Sequence, residues 1–95
     1  MIDILNAYKT PKEIQKIIAL NVKGRRKNLK LTQEEFAKKC GISFGSYKRF
    51  ENTGEISLAS LVKIGKILGC DDQLISLFVK TEYASIEEVI NDKNK

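Results

Sequence analysis

Apolar residues recur at intervals of three and four along most of the chain, which is the spacing of amphipathic helices. The clearest stretch is 32–52, where two short helical patterns are separated by Gly41. Glycine enters the left-handed conformation without steric cost, so it commonly follows the end of a helix. The stretch therefore predicts two short helices joined by a tight turn. Their expected core positions are Phe36, Ala37 and Cys40, then Tyr47 and Phe50.

Helix starts are marked by a hydroxyl residue followed three positions later by glutamate. In this capping box each side chain satisfies a free backbone donor of the first turn. The pattern occurs at Thr10 with Glu13, at Thr32 with Glu35 and at Ser85 with Glu88. Pro11 suits the first position of a helix that we expect to run to about Leu29. Ser43 and Ser57 are N-cap candidates for two later helices. The first helix carries Ile14, Ile17, Ile18 and Val22 at helical spacing.

The second half of the chain continues the helical pattern. Ser57 begins a helix that Gly69 ends, and Asp71 or Asp72 is expected to cap a short helix after it. We expect both helices to contribute core residues. The expected core positions are Leu58, Leu61, Val62, Gly65 and Leu68, followed by Leu74, Ile75, Leu77 and Phe78. Further on, Ile86, Val89 and Ile90 form a stripe so short that its helix needs a surface to pack on.

Composition excludes several classes of protein. The chain has 95 residues, 42% of them hydrophobic, which suits one domain with a modest core. No apolar run approaches the ~18 residues of a membrane span, and the N-terminus lacks the pattern of a secretory signal. Histidine, the commonest general base, is absent. Cys40 and Cys70 are too few for a zinc site and suit reduced thiols in the cytoplasm. We expect no enzyme activity, no metal and no cofactor.

Charge is distributed unevenly along the chain. Residues 1–54 carry twelve Lys or Arg and five Asp or Glu, whereas residues 55–95 carry five and seven. A local excess of cations attracts polyanions, and neutralising phosphates drives nonspecific affinity for DNA. A solvated lysine-rich surface is the alternative, so the charge alone decides little.

The second helix of the central pair has one side that its core residues leave unused. That side carries Phe44, Gly45, Lys48 and Arg49. A short outward-facing helix with a polar N-terminus and cations can enter the major groove of DNA. An exposed phenylalanine also marks interaction sites between proteins, so Phe44 has that second interpretation.

Several residue types match one known motif at the same time. They are Leu31-Thr32-Gln33, Ala37, Gly41, Ser43 and Glu51-Asn52. Over about residues 22–78 the chain resembles the phage-repressor-like (Cro/CI, or XRE) helix-turn-helix family. The resemblance implies an all-α, five-helix lambda-repressor-like DNA-binding domain, expected at 12–79. Residues 1–11 then form an N-terminal extension, and 80–95 form a helical C-terminal extension available for a dimer or partner contact.

The resemblance also implies roles for single residues. Arg26 is expected to pair with Glu51 and to approach a phosphate, while Gln33 and Asn52 bind phosphate. Lys30 stands where members of the family usually have glycine. Either the loop differs here, or a left-handed lysine carries a cost of roughly 1 kcal/mol.

The remaining assignments come from side-chain chemistry. Arg49 can donate two hydrogen bonds to guanine, and Phe44 can contact a thymine methyl. Glycine at position 45 lets the backbone approach closely, and Lys48 suits a phosphate. The predicted base contacts are Ser43, Phe44, Gly45 and Arg49. The predicted phosphate contacts are Arg26, Thr32, Gln33, Ser46, Lys48 and Asn52.

Two functions fit this pattern. The first is a sequence-specific DNA-binding regulator, a cytoplasmic repressor or autoregulator that binds double-stranded DNA as a homodimer. Two helices spaced by one DNA turn, roughly 34 Å, supply more affinity than one. The alternative function is that of an antitoxin, because the chain is similar to antitoxins of the HipB type. Those proteins bind operator DNA and also hold a kinase-like protein toxin. There, Phe44 and the C-terminal extension are the expected toxin contacts.

Overall fold

The computed structural model describes residues 9–80, which form five helices and no strand. The helices are α1 (Pro11–Asn28), α2 (Gln33–Cys40), α3 (Phe44–Thr53), α4 (Leu58–Ile67) and α5 (Asp71–Ile75). The predicted all-α architecture with five helices is therefore confirmed. Most of the two predicted extensions lies outside this range, as do the capping box at Ser85 and the stripe containing Ile86, Val89 and Ile90.

The first four helices begin at the caps that the sequence predicts. Thr10 Oγ1 accepts from the Glu13 amide at 3.1 Å, and Glu13 Oε1 accepts from the Thr10 amide at 3.0 Å. Thr32 and Glu35 repeat this box at 3.1 and 2.9 Å. The backbone bonds lower the pKa of both glutamates, because they stabilise the charged carboxylate. Ser43 and Ser57 each accept from the amide three residues on, at 3.1 Å.

The core is built around three aromatic rings on α2 and α3. The centroids of Phe36 and Tyr47 are 5.2 Å apart with the rings edge to face, and Phe50 lies 6.1 Å from Tyr47. Pairs of this geometry add stability beyond the area they bury. Ala37 and Cys40 are also buried, so the predicted core of the central pair is confirmed.

Helix α1 packs mainly against α3. Its buried side is formed by Ala19, Val22 and Arg26, which follow one another at helical spacing. Ile14, Ile17 and Ile18 lie beside this side and are exposed to between 39% and 45%. The small Ala19 is buried in their place, which brings the two helices close together.

Helix α4 confirms only part of the predicted stripe: Gly65 is buried, and Leu61 and Leu68 pack against the core. Ile64 is fully buried and Gly65 is buried against Leu74, whereas Leu58 and Val62 are exposed. The expectation of a core role for Leu58 and Val62 is therefore wrong. Six of the ten residues of α4 are apolar, so several stripes satisfy the helical period equally well.

Helix α5 also departs from expectation. Its N-cap is Cys70 rather than an aspartate, with no side-chain cap, and the Asp71 carboxylate instead accepts from Lys66 Nζ at 2.9 Å. Ile75, Leu77 and Phe78 are not core residues, and Phe78 is 97% exposed. An apolar groove of about 280 Å³ opens between α1, α4 and α5. Its apolar lining includes Ile18, Val22, Leu61, Leu74 and Leu77.

Within residues 9–80, two residues other than glycine adopt the left-handed backbone conformation. Lys30 has φ 59° and Phe78 has φ 62°. At Lys30 the loop therefore keeps the left-handed conformation and carries its cost of roughly 1 kcal/mol. Gly41 adopts φ 74° at the end of α2, as the motif requires.

Candidate nucleic-acid interface

The two sides of α3 have opposite environments. Tyr47 and Phe50 face inward and are almost completely buried. Phe44 is 43% exposed, and Lys48 and Arg49 are exposed beside it. The other exposed positions of α3 are Gly45, Ser46 and Asn52. The capped N-terminus of α3 and its cations therefore share one open surface.

A buried ion pair joins this helix to α1. Arg26 Nε lies 2.7 Å from Glu51 Oε2, and Arg26 Nη2 lies 3.2 Å from Glu51 Oε1. The two side chains keep only 9% and 2% of their surface exposed. Arg26 Nη1 also donates to the Leu31 carbonyl at 2.7 Å. The guanidinium is thus engaged by groups of the protein on both sides, which fixes the angle between α1 and α3.

Glu51 collects two further donors. Gln33 Nε2 donates to Glu51 Oε1 at 2.8 Å, and Tyr47 Oη donates to Glu51 Oε2. Burial raises the pKa of the Glu51 carboxyl, but hydrogen bonds from Arg26, Tyr47 and Gln33 outweigh it and hold this pKa below its ordinary value. Burial and the bond to Glu51 raise the pKa of Tyr47. At neutral pH, the Glu51 carboxyl is therefore charged and accepts hydrogen bonds, and Tyr47 keeps its phenolic proton and donates one.

Three predicted phosphate ligands have contacts within the protein. The Gln33 side-chain amide donates to Glu51, whereas Thr32 is exposed. Thr32 Oγ1 accepts from the Glu35 amide. Ser43 Oγ donates to Ser46 Oγ at 2.8 Å and accepts from the Ser46 amide, which leaves the Ser46 hydroxyl hydrogen directed elsewhere.

The exposed cations of α3 are positioned by neighbours. Lys48 Nζ lies 5.9 Å from the centroid of the Phe44 ring, within the range of a cation–π contact. Arg49 Nη2 lies 3.2 Å from Glu55 Oε1. Position 45 is open, with no heavy atom within 4 Å of where a Cβ would stand. The surface therefore combines one aromatic ring, two cations and a bare backbone segment.

The turn after α3 is tied back to α1. Gly54 has φ 81°, and Gln15 Nε2 donates to its carbonyl at 3.3 Å. A Cβ at this glycine would lie 2.8 Å from the carbonyl carbon of Gln15. The backbones of the turn and α1 therefore touch in a way that requires glycine. No local sequence pattern predicts this contact, because its partners are 39 residues apart.

Other residues near α3 were also missed. Tyr47 and Glu51 are four apart on one helix, a spacing that could have indicated their hydrogen bond. A cavity of about 290 Å³ lies between α3 and the start of α4. Its lining residues are Ser46, Arg49, Glu55, Ile56, Ser57 and Ser60. The hydroxyls of α4 extend the polar surface beside Arg49.

The part of the chain that the structure describes offers little for other chemistry. Within residues 9–80, no three His, Cys, Asp or Glu side chains are grouped closely enough to hold a metal ion. Cys40 and Cys70 are free thiols, and burial raises the pKa of Cys40. None of the helices in this range combines the length and apolarity that a membrane crossing requires.

The sequence was compared with models of known protein families, with curated proteins and with solved structures. A family model described as helix-turn-helix matches residues 22–75, more than half of the chain. No curated protein and no solved structure matches significantly. The matched segment runs from the second half of α1 through α5, so it contains the buried ion pair and the whole outward side of α3.

An all-helical domain that presents a capped, cationic helix from a two-helix motif belongs to the class of helix-turn-helix DNA-binding domains. The chain is a member of the XRE or Cro/CI type of this family, the phage-repressor-like type. The family consists of DNA-binding domains and is not an enzyme family. The protein is thus a DNA-binding regulator.

Proposed function

We propose that this regulator is a sequence-specific repressor or autoregulator that reads the major groove with α3. The observation that carries the proposal is the division of α3 into a buried side and an open side. Tyr47 and Phe50 hold the helix on the core, so the open residues are free for a ligand. The groove of B-DNA, about 12 Å wide, admits one helix.

The base contacts are assigned to the start and the exposed side of α3. Arg49 donates to guanine O6 and N7, and Phe44 packs on a thymine methyl. Gly45 lets the backbone approach the base pairs, because no side chain stands between them. Ser43 offers its oxygen at the N-terminus of the helix, where it also caps α3.

The phosphate contacts surround this side. Lys48 and Asn52 are exposed on α3, and Ser46 has a hydroxyl hydrogen to donate. Thr32 and Gln33 lie at the start of α2, and the N-terminus of a helix favours an anion. Arg26 is buried against Glu51, so its contribution to phosphate binding is through the placement of α3.

We further propose that the protein binds as a homodimer in the cytoplasm, where its two thiols remain reduced. One α3 covers few base pairs, and a second copy one helical turn away doubles the contact. Residues 12–79 form the DNA-binding unit, and residues 80–95 are available to a second copy.

The alternative, an antitoxin of the HipB type, predicts a second macromolecular partner. In that case the protein copurifies with a kinase-like toxin encoded nearby, and deletion of residues 80–95 releases the toxin while operator binding is retained. If the regulator purifies without a second protein and represses its operator fully, the result favours a repressor that acts without a toxin. The exposed Phe44 and Phe78 are the residues to substitute in mapping such a contact.

The test of the proposed function is selection of duplexes from a random DNA pool by the full chain. We expect one enriched motif with two-fold symmetry and half-sites about one DNA turn apart. The enriched duplex and a scrambled duplex of equal composition then serve as ligands for variants. An unenriched pool, or equal affinity for the two duplexes, contradicts sequence-specific reading.

Two neighbouring cations separate base reading from phosphate binding. Arg49→Ala should cost about 1–3 kcal/mol on the enriched duplex and relax the preference at one base pair. Lys48→Ala should weaken both duplexes alike and reduce the salt slope by about one. If Arg49→Ala weakens the two duplexes equally, its assignment as a base contact is wrong.

A further inference from the structure

The ion pair between Arg49 and Glu55 joins the open side of α3 to the turn that follows. Arg49 Nη2 and Glu55 Oε1 are 3.2 Å apart, and the side chains are 67% and 50% exposed. Pairs this exposed contribute little to the stability of a fold. The contribution of this pair to folding is therefore small, although Glu55 lies beside the only arginine on α3.

The position of Glu55 is set by hydrogen bonds of the two residues before it, Thr53 and Gly54. Its amide donates to Thr53 Oγ1 at 3.1 Å, and that hydroxyl donates to the Arg49 carbonyl at 2.8 Å. The intervening Gly54 is held on α1 by Gln15. The turn is thus anchored at two points, and the carboxylate starts from a fixed place next to the guanidinium.

This arrangement treats a base edge and a phosphate differently. A guanidinium has five N–H donors, and Glu55 engages one of its nitrogens. Enough donors remain for guanine O6 and N7, which together form a neutral acceptor edge. A phosphate oxygen brought to the same guanidinium also meets the carboxylate, and the two like charges repel each other.

We propose that Glu55 is a positioning residue that sets specificity: it keeps Arg49 available to a guanine edge and penalises its use on phosphates of unrelated DNA. The proposal rests on the proposed function of α3 and assigns the guanine-containing duplex as the partner of this pair. Specificity is a difference between two affinities, so a residue that weakens the wrong complex raises it.

The experiment measures dissociation constants of the full chain and of Glu55→Gln on the enriched and the scrambled duplex. We expect affinity for scrambled DNA to rise about threefold to fivefold, the range of one exposed charge pair. Affinity for the enriched duplex should change less than twofold, so the ratio of the two affinities falls. The salt slope on scrambled DNA should steepen by up to about one, since Arg49 then binds a phosphate.

Two controls isolate the contact from bulk charge. Asp72→Asn removes one exposed carboxylate on α5 and should leave the ratio unchanged. In an Arg49→Ala background, Glu55→Gln should no longer alter the ratio, because the residue it positions is gone. Equal changes on both duplexes, an effect matched by Asp72→Asn, or an effect that persists without Arg49 each overturn the proposal.

The two proposals fail in different ways. If the unsubstituted chain binds enriched and scrambled duplexes equally, the assignment of α3 as a reader of sequence is wrong, and Glu55 has no specificity to set. If the unsubstituted chain discriminates and Glu55→Gln discriminates equally well, only the role of Glu55 is wrong. Melting temperatures of all variants are measured alongside and should stay close together, since both side chains are exposed.

Discussion

The half of the domain formed by α1 to α3 and the half formed by α4 and α5 are stabilised in different ways. The first half has two capping boxes, three packed rings and a buried network centred on Glu51. The second half contributes Ile64 to the core and leaves Leu58, Val62 and Phe78 exposed. Its last helix has five residues and no side-chain cap.

The contrast is between a half whose interior polar groups form one buried network and a half held mainly by apolar packing, while both halves expose apolar side chains. In the first half, the polar groups of the Glu51 network are satisfied internally, and the outward side of α3 is exposed. In the second half, the apolar groove beside α5 and the exposed side of α4 remain open in the single chain. The following experiments test how far this division holds.

The largest effect is expected for Arg26→Ala. It leaves the Glu51 carboxylate buried without its cation, and breaking such a pair costs about 3–5 kcal/mol. Chemical denaturation should show the loss, and affinity for DNA should fall because α3 is no longer fixed to α1. Lys27→Ala, which removes the neighbouring exposed cation, should stay within about 0.5 kcal/mol. An unchanged midpoint for Arg26→Ala would mean that the network does not stabilise the first half.

Gly54→Ala should have the next largest effect. The new Cβ meets the backbone of Gln15 in a left-handed residue, which together cost about 2–3 kcal/mol. Gly24→Ala is the matched control, because Gly24 is an open helical position in α1. There, alanine should stabilise the protein by up to about 1 kcal/mol. Equal responses at the two glycines would show that the turn is not anchored on α1.

Acid should weaken the first half gradually. The folded pKa of Glu51 lies below its unfolded value, so its contribution is complete above about pH 4.3 and is lost as the pH falls through the folded pKa. Glu13 and Glu35 act in the same direction. Glu51→Gln should therefore flatten, without abolishing, the acid limb of a stability–pH curve measured by denaturant titration. An unaltered limb would place the acid response elsewhere.

The smallest effect should come from Val62→Ser on the exposed side of α4. In a single chain this change should stay within about 0.5 kcal/mol, whereas Ile64→Ala on the same helix should cost about 2–5 kcal/mol. Thermal melts at several protein concentrations provide the measurement. If Val62→Ser costs more than 1 kcal/mol and the loss depends on concentration, a second copy covers the α4 surface in solution.

The two halves also differ in how well they can be predicted. The starts of α1 to α3 follow from neighbours in sequence, so local pattern was sufficient for Thr10, Thr32 and Ser43. The pairing of Arg26 with Glu51 was expected only from the family resemblance. Tyr47 and Gln33 as further donors to Glu51 depend on how three helices meet, and so does the contact of Gln15 with Gly54.

In the second half, Ser57 correctly marks the start of α4, but the other local signals were misleading. Apolar residues occupy so many positions of α4 that periodicity did not distinguish Ile64 from Val62. Two aspartates at the start of α5 suggested a cap, but Asp71 lies within the helix and pairs with Lys66 on the preceding helix. Which apolar residues are core and which are surface depends on the packing angle of α4, and that angle is a property of the whole domain.

The division of α3 into a side that packs on the core and a side that faces outward has a consequence for how the sequence can evolve. Substitutions at 44, 45, 48 and 49 touch neither the aromatic rings nor the buried carboxylate. On the proposed function, these positions can be substituted one at a time to change the DNA sequence that is read, with each intermediate still a folded protein. The interior of the domain and the outward side of α3 can therefore change independently of each other.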